Sequence, residues 1–171
     1  MVACAMTRRG ALAALGAFDL GLTGAASRAR AQSGPRFSNI VVNVDPLRAL
    51  VGDPTAAWMD QALRQALPQV LGPSLAPGDR SAPVLGVRID YLYFGPSTGG
   101  TGPGGSAMDT VAGTFDVFGP RGGIESEIPL RAIASYYPSA VDHAMVEQAY
   151  YWRTVALAKV FAGWAPRELG L

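Results

Sequence analysis

The period of the apolar residues changes along this chain, and that change restricts the fold more than any single motif does. In "NIVVNVD" (39–45), Ile40, Val42 and Val44 alternate with Val41 and Asn43, the two-residue period of a strand with one buried face. Asp53-Pro54 then introduces a helix: Asp can accept hydrogen bonds from first-turn amides, and Pro suits the first helical position. Met59, Ala62, Leu63, Ala66, Leu67 and Val70 follow at helical spacing and form one stripe. Pro68 is expected to kink or end that helix. "SAPVLGVRIDYLYFG" (81–95) returns to period two, with Leu85, Val87, Ile89, Tyr91 and Tyr93 predicted on one face. "DTVAGTFDVFG" (109–119) places Val111, Gly113, Phe115 and Val117 together. "GPRGG" (119–123) reads as a hairpin connector. "IESEIPLRAI" (124–133) brings Ile124, Ser126, Ile128, Leu130 and Ala132 to one side. Pro129 marks this last strand as an edge strand, or as bulged there. A helix is predicted over 140–164, opened by a capping box from Ser139 to Asp142. Ala149, Trp152, Ala156, Val160 and Trp164 run along its apolar side, widened by Tyr150, Leu157 and Phe161.

The order β-α-β-β-β-α predicts an α+β fold: a two-layer sandwich with a mostly antiparallel four-stranded sheet and two helices on one face. Residues 37–171 would form this single domain, after a short linker at 32–36.

Ahead of it, Arg8 and Arg9 precede a weakly apolar run of Ala, Leu and Gly that ends in Ala29-Arg30-Ala31. Charged start, apolar middle and A-x-A end are the parts of an export signal. With Thr7 before the arginines and Leu12 behind them, the segment resembles a twin-arginine signal, an address read by a receptor. The resemblance implies that residues 1–31 are removed and that the mature chain, starting at Gln32, is periplasmic or secreted. Asp19 within the run and the run's modest length favour a cleaved signal over a retained anchor. Met6 is an alternative start to Met1. Cys4 has too short an apolar lead to be a lipid-attachment site.

Residues 32–171 carry ten Lys and Arg against twelve Asp and Glu, a net charge near −2, and no Cys. No concentrated basic patch for nucleic acid follows from that composition. Disulfides and thiolate metal sites are excluded, and 140 residues can bury a core without them. No further stretch is long enough to span a bilayer.

Few residues suggest chemistry, and no cofactor is expected. "GPSTGGTGPGGS" (95–106) joins two strands and lacks the Lys of a phosphate loop. It reads as a flexible connector, and as a ligand-contacting loop it nominates Thr98 and Thr101. His143, the one histidine, stands four residues before Glu147, so the pair can face one metal ion. A zinc site needs three or four ligands, which leaves both as weak metal candidates. A serine hydrolase using His143 with Asp142 is the alternative enzyme reading, without a G-x-S-x-G motif. Glu125 and Glu127 share a strand face and do not flank a cleft as glycosidase carboxylates do. Among the late aromatics, Tyr137 and Tyr151 are expected to remain outside the core, free to contact a ligand.

In element order, residues 37–164 resemble the small α+β accessory domains of bacterial envelope transport and assembly systems. Those are usually lipid-anchored, and no cysteine follows the signal here. The resemblance implies a non-catalytic binding or scaffold domain acting on a protein or lipid partner of the envelope.

Overall fold

In the computed structural model the described residues are 34–96, 106–137 and 145–171, all within one compact unit, Gln32–Leu171. Arg8, Arg9, Ala29 and Ala31 of the expected signal, Thr98 and Thr101 of the Gly-rich stretch, the expected capping box and His143 lie outside them. The elements are β1 (Asn39–Asn43), α1 (Asp45–Val51), α2 (Thr55–Leu71), a 3-10 turn (Gly72–Ser74), β2 (Val84–Tyr93), β3 (Ala107–Phe118), β4 (Ile124–Tyr136) and α3 (Val146–Glu168).

The sheet order is β1-β2-β3-β4. The expected mostly antiparallel sheet is a mixed one. β2–β3 and β3–β4 are antiparallel, whereas β1 pairs with β2 in parallel, from Asn39 with Val84 to Asn43 with Arg88. A parallel neighbour needs a crossover, and α1 with α2 supplies it. The short helix α1 was not expected. Pro46, which the sequence pattern makes a strand terminator, sits in its first turn, where a missing N–H costs nothing.

One cluster of buried apolar side chains joins the layers. Val42 and Val44 of the β1 segment, Leu85, Val87 and Ile89 of β2, and Val111 and Phe115 of β3 face Met59, Leu63 and Leu67 of α2 and Leu157 and Phe161 of α3. Phe115 and Phe161 stack with ring centres 5.2 Å apart. Among the described residues, no helix is long and apolar enough to cross a membrane.

Four local expectations are corrected. Tyr91 and Tyr93 do not share the face of Ile89. The register steps from Ile89–Gly113 to Tyr91–Ala112 and leaves Asp90 unpaired. That bulge reverses the alternation: Leu92 enters the core, and Tyr91 and Tyr93 face outward. Gly113 is required beside the bulge, since a Cβ there would lie 2.2 Å from the Arg88 carbonyl oxygen. A second bulge at Glu125 turns Ile124 outward in the same way, while pairing runs unbroken through Pro129 on the edge strand β4. On α3, Trp152 and Trp164 are exposed and the buried row is Thr154, Leu157, Ala158, Phe161, Ala162 and Ala165. The helix is rotated from the expected stripe because small alanines allow close approach to α2 and the sheet, where two indoles would not fit. Finally, Asp53 does not cap α2. Its carboxylate accepts from Arg48 Nε at 3.2 Å, and the helix continues through Pro68 to Leu71, as α3 does through Pro166.

The sheet face away from the helices holds a polar cluster. Arg88 Nε donates to Asp90 Oδ1 at 3.0 Å, and Arg88 Nη1 reaches Asp116 Oδ2 only at 3.4 Å. Asp116 is 5 % exposed and its Oδ1 has no partner among the described residues. Burial raises its carboxyl above the usual range, against the pull of Arg88 and helped by Glu127 and Asp90. The folded chain therefore holds this proton to higher pH than the unfolded chain does. Stability falls as pH rises from the unfolded carboxylate pKa to the raised folded one, and stays reduced above it. Asp116→Asn is expected to stabilise the protein at pH 7 by about 1 kcal/mol, with the gain vanishing below about pH 4. Urea unfolding at both pH values measures it; an equal effect at both would contradict the assignment.

Candidate functional site: a groove between the two long helices

α2 and α3 lie side by side on the sheet, and the outer seam between them is concave. Three adjoining concavities, of about 210, 600 and 410 Å³, all include Trp58 of α2. Trp58 is the fourth residue of α2 and Tyr151 the sixth of α3, so their rings meet near the N-terminal ends of both helices. They stand 5.5 Å apart at 86°, forming a corner with two ring faces at right angles. Tyr151 also contacts Trp152, 5.1 Å away.

From that corner the groove runs along α2 past Gln61, Gln65 and Gln69. Spacing by four puts them in one row, about 6 Å per step. None of the three amides makes a hydrogen bond to another described residue. The floor is Ala62, Ala66 and Val155, and Lys159 closes the far end. Small residues on the floor let the two helices approach, while the long amides rise at the rim. At the other end the cavity opens between Met145, Val146 and Glu147, with Met145 and Val146 54 % and 58 % exposed.

A buried ion pair fixes the helix that carries Tyr151. Asp109, on the core face of β3, accepts from Arg153 Nε at 2.8 Å and is bonded to Arg153 Nη2 as well. The same carboxylate accepts from the Gly95 amide at 3.1 Å, and Arg153 Nη2 donates to the Gly95 carbonyl oxygen at 2.8 Å. Side-chain exposures of 11 % for Arg153 and 2 % for Asp109 put the pair inside the protein. The hydrogen bonds that Asp109 accepts hold the guanidinium pKa above its ordinary value, outweighing desolvation. Phe94 and Tyr136, each with its ring centre 4.9 Å from the guanidinium carbon, and Tyr150 at 5.7 Å, box the cation in. α3, β3 and the exit of β2 are thus tied at one point, two residues from Tyr151.

Of the sequence-nominated residues, Tyr151 stands in the groove wall, half-buried. Tyr137 is 71 % exposed just past β4 and lines none of these concavities. Glu147 is at the groove mouth, exposed. Among the described residues no three His, Cys, Asp or Glu side chains converge as a metal cluster. Trp58, the glutamine row and the Arg153–Asp109 pair were missed. The pair had a signal: Asp109 has the parity of Val111 and Phe115, and Arg153 precedes Leu157 and Phe161 by four and eight residues, so each charge lies on a buried row. The glutamines had one too, at i, i+4 and i+8.

No protein-family model matches the chain, and no curated protein matches it in sequence. Among solved structures it is similar to a minor lipoprotein from Acinetobacter baumannii, at 14% identity over 77% of this chain and 94% of that one, with a TM-score of 0.42. It is similar also to the rare lipoprotein B from Shewanella oneidensis, at 16% identity over 77% and 97%, TM-score 0.35. The PelC dodecamer from Paraburkholderia phytofirmans matches at 13% identity over 80% and 87%, TM-score 0.37. These bacterial proteins share a loose likeness of fold with the chain, at a level that carries no argument about activity.

Proposed function

We propose that this chain is an exported, non-catalytic binding or accessory domain of the bacterial cell envelope, periplasmic or secreted once residues 1–31 are removed, and that its ligand is held in the α2–α3 groove. The convergence of three concavities on Trp58, with an aromatic corner and a row of unpaired amides, carries this reading. Among the described residues its lining is suited to contact and holds no nucleophile–base pair. The sequence resemblance points to a protein or lipid partner of the envelope, and the twin-arginine-type start supports export.

Two measurements on the host test it together. A C-terminally tagged chain is expected in the periplasmic or secreted fraction with Gln32 at its amino terminus, and an Arg8→Lys, Arg9→Lys variant is expected to stay in the cytoplasm. His143→Ala is expected to restore a deletion strain fully. An intact amino terminus in the cytoplasm would overturn the export reading. Failure of a stable, exported His143→Ala chain would favour the hydrolase or metal-enzyme alternative through His143, with Glu147 as a further ligand.

A further inference from the structure

Resting on the groove reading, and in place of the protein or lipid partner that the sequence resemblance implies, we infer that the ligand seated between α2 and α3 is a neutral saccharide chain, and that Trp58, Tyr151 and the row Gln61, Gln65 and Gln69 recognise it.

The argument is one of chemical fit. Lys159 and Glu147 are the two charged residues among those lining the seam, one near each end, so no cluster of basic side chains attracts a phosphate chain or an acidic polymer. Beyond their first turns, both walls are helices whose main-chain groups are spent on their own hydrogen bonds. Among the described residues no strand edge lines the seam for an extended peptide to pair with, one route by which a backbone is held. Along the glutamine row the aliphatic floor is Ala62, Ala66 and Val155, too small to desolvate an acyl chain at about 0.8 kcal/mol per methylene, and the exposed Met145 and Val146 stand only at the mouth.

What the groove does offer is neutral and directional. Each glutamine amide presents two donors and one acceptor carbonyl, and the three repeat at about 6 Å along one line. A chain of hydroxyl-bearing rings supplies both donors and acceptors at every unit, and an unmet amide in a filled groove would cost its desolvation. The perpendicular rings of Trp58 and Tyr151 supply the complementary apolar surface. A sugar ring's C–H face can lie on one aromatic face while its edge meets the other, which keeps large contact at low entropy cost. The row spans about 12 Å from Gln61 to Gln69, so the ligand has more than one ring.

The test uses the chain as purified from its host and follows the indole N–H signals of Trp58, Trp152 and Trp164 by NMR. Probes are the soluble hexasaccharides of glucose and of N-acetylglucosamine, vesicles bearing a digalactosyl lipid, an uncharged hexapeptide, and phosphatidylcholine vesicles. A saturable shift of the Trp58 signal by a hexasaccharide is expected, with Trp164 unmoved. Trp58→Ala is expected to weaken binding at least about tenfold, read from amide signals of Val155 and Lys159. Gln65→Ala should cost about threefold to tenfold. A response to the digalactosyl vesicles alone identifies the sugar as a lipid headgroup. Movement of Trp58 by the peptide or the plain vesicles, with no saccharide effect, overturns the saccharide assignment and leaves the groove in use. No response from any probe overturns the saccharide assignment as well.

Discussion

Arg153→Met is expected to destabilise the protein by about 3–5 kcal/mol, because it strands the Asp109 carboxylate in the interior. Asp109 is 1 % exposed, and after the change its only remaining donor among the described residues is the Gly95 amide. A surface ion pair would cost far less, typically under about 1 kcal/mol, so burial decides the size of the effect. For a domain of this size the midpoint of thermal unfolding should drop by roughly 10–20 °C. The companion result separates pairing from packing. The double variant Arg153→Met, Asp109→Leu removes both charges and is expected to recover most of the loss, since a buried pair is worth little more than apolar residues of similar volume. Calorimetry of the three proteins measures it. A loss under about 1 kcal/mol for the single variant would mean that water reaches the carboxylate.

The effect should extend to the groove. Arg153 and Tyr151 are two residues apart on α3, and the guanidinium is wrapped by Tyr150, which lines the third concavity. With the tie to β3 and Gly95 broken, the first turns of α3 lose their main polar anchor, and the Trp58–Tyr151 corner is expected to loosen before the core melts.

The layers were legible in the sequence because they depend on period. Alternation in 84–89 and 111–117 and helical spacing from Met59 to Leu67 fixed which residues meet, and Leu85, Val87, Ile89, Val111 and Phe115 are buried as that pattern requires. What period could not supply was phase after an interruption. Asp90 and Glu125 each add one residue to a strand, and everything beyond them reverses face. Tyr91, Leu92 and Tyr93 are all apolar enough to serve on either side, so nothing local announced the slip. On α3 the alanines at 158, 162 and 165 leave few strong apolar residues to set the phase of the stripe, and large side chains drew attention to the wrong side. Closeness to α2 selected the small residues instead. The parallel pairing of β1 depended on the unexpected α1, whose seven residues are too few to show a period.

The candidate site was partly legible. Tyr151 was nominated as an outward-facing aromatic, and it is in the groove wall. Its partner Trp58 lies 93 positions away in sequence on the other helix, and no spacing along the chain reveals that two helices will be neighbours. A seam between elements belongs to tertiary structure, and here it contains Gln61, Gln65 and Gln69, whose amides have no partner among the described residues.

Loss of the groove's aromatic corner is the second large effect expected. Trp58 and Tyr151 are half-buried against each other and against the solvent, and removing both takes away the two ring faces that a ligand would rest on. Aromatic anchors of this kind dominate binding, with about 2 kcal/mol or more for each, so the pair together is expected to reduce affinity by at least about a thousandfold. The fold should survive, because neither residue belongs to the buried core. The decisive measurement is therefore complementation of a deletion strain by Trp58→Ala, Tyr151→Ala, with the exported level and unfolding midpoint of the variant determined alongside. The predicted result is a chain that is exported at the normal level, unfolds within a few degrees of the parent and restores nothing. Full restoration by that same chain would show that the groove between α2 and α3 is not where this protein works.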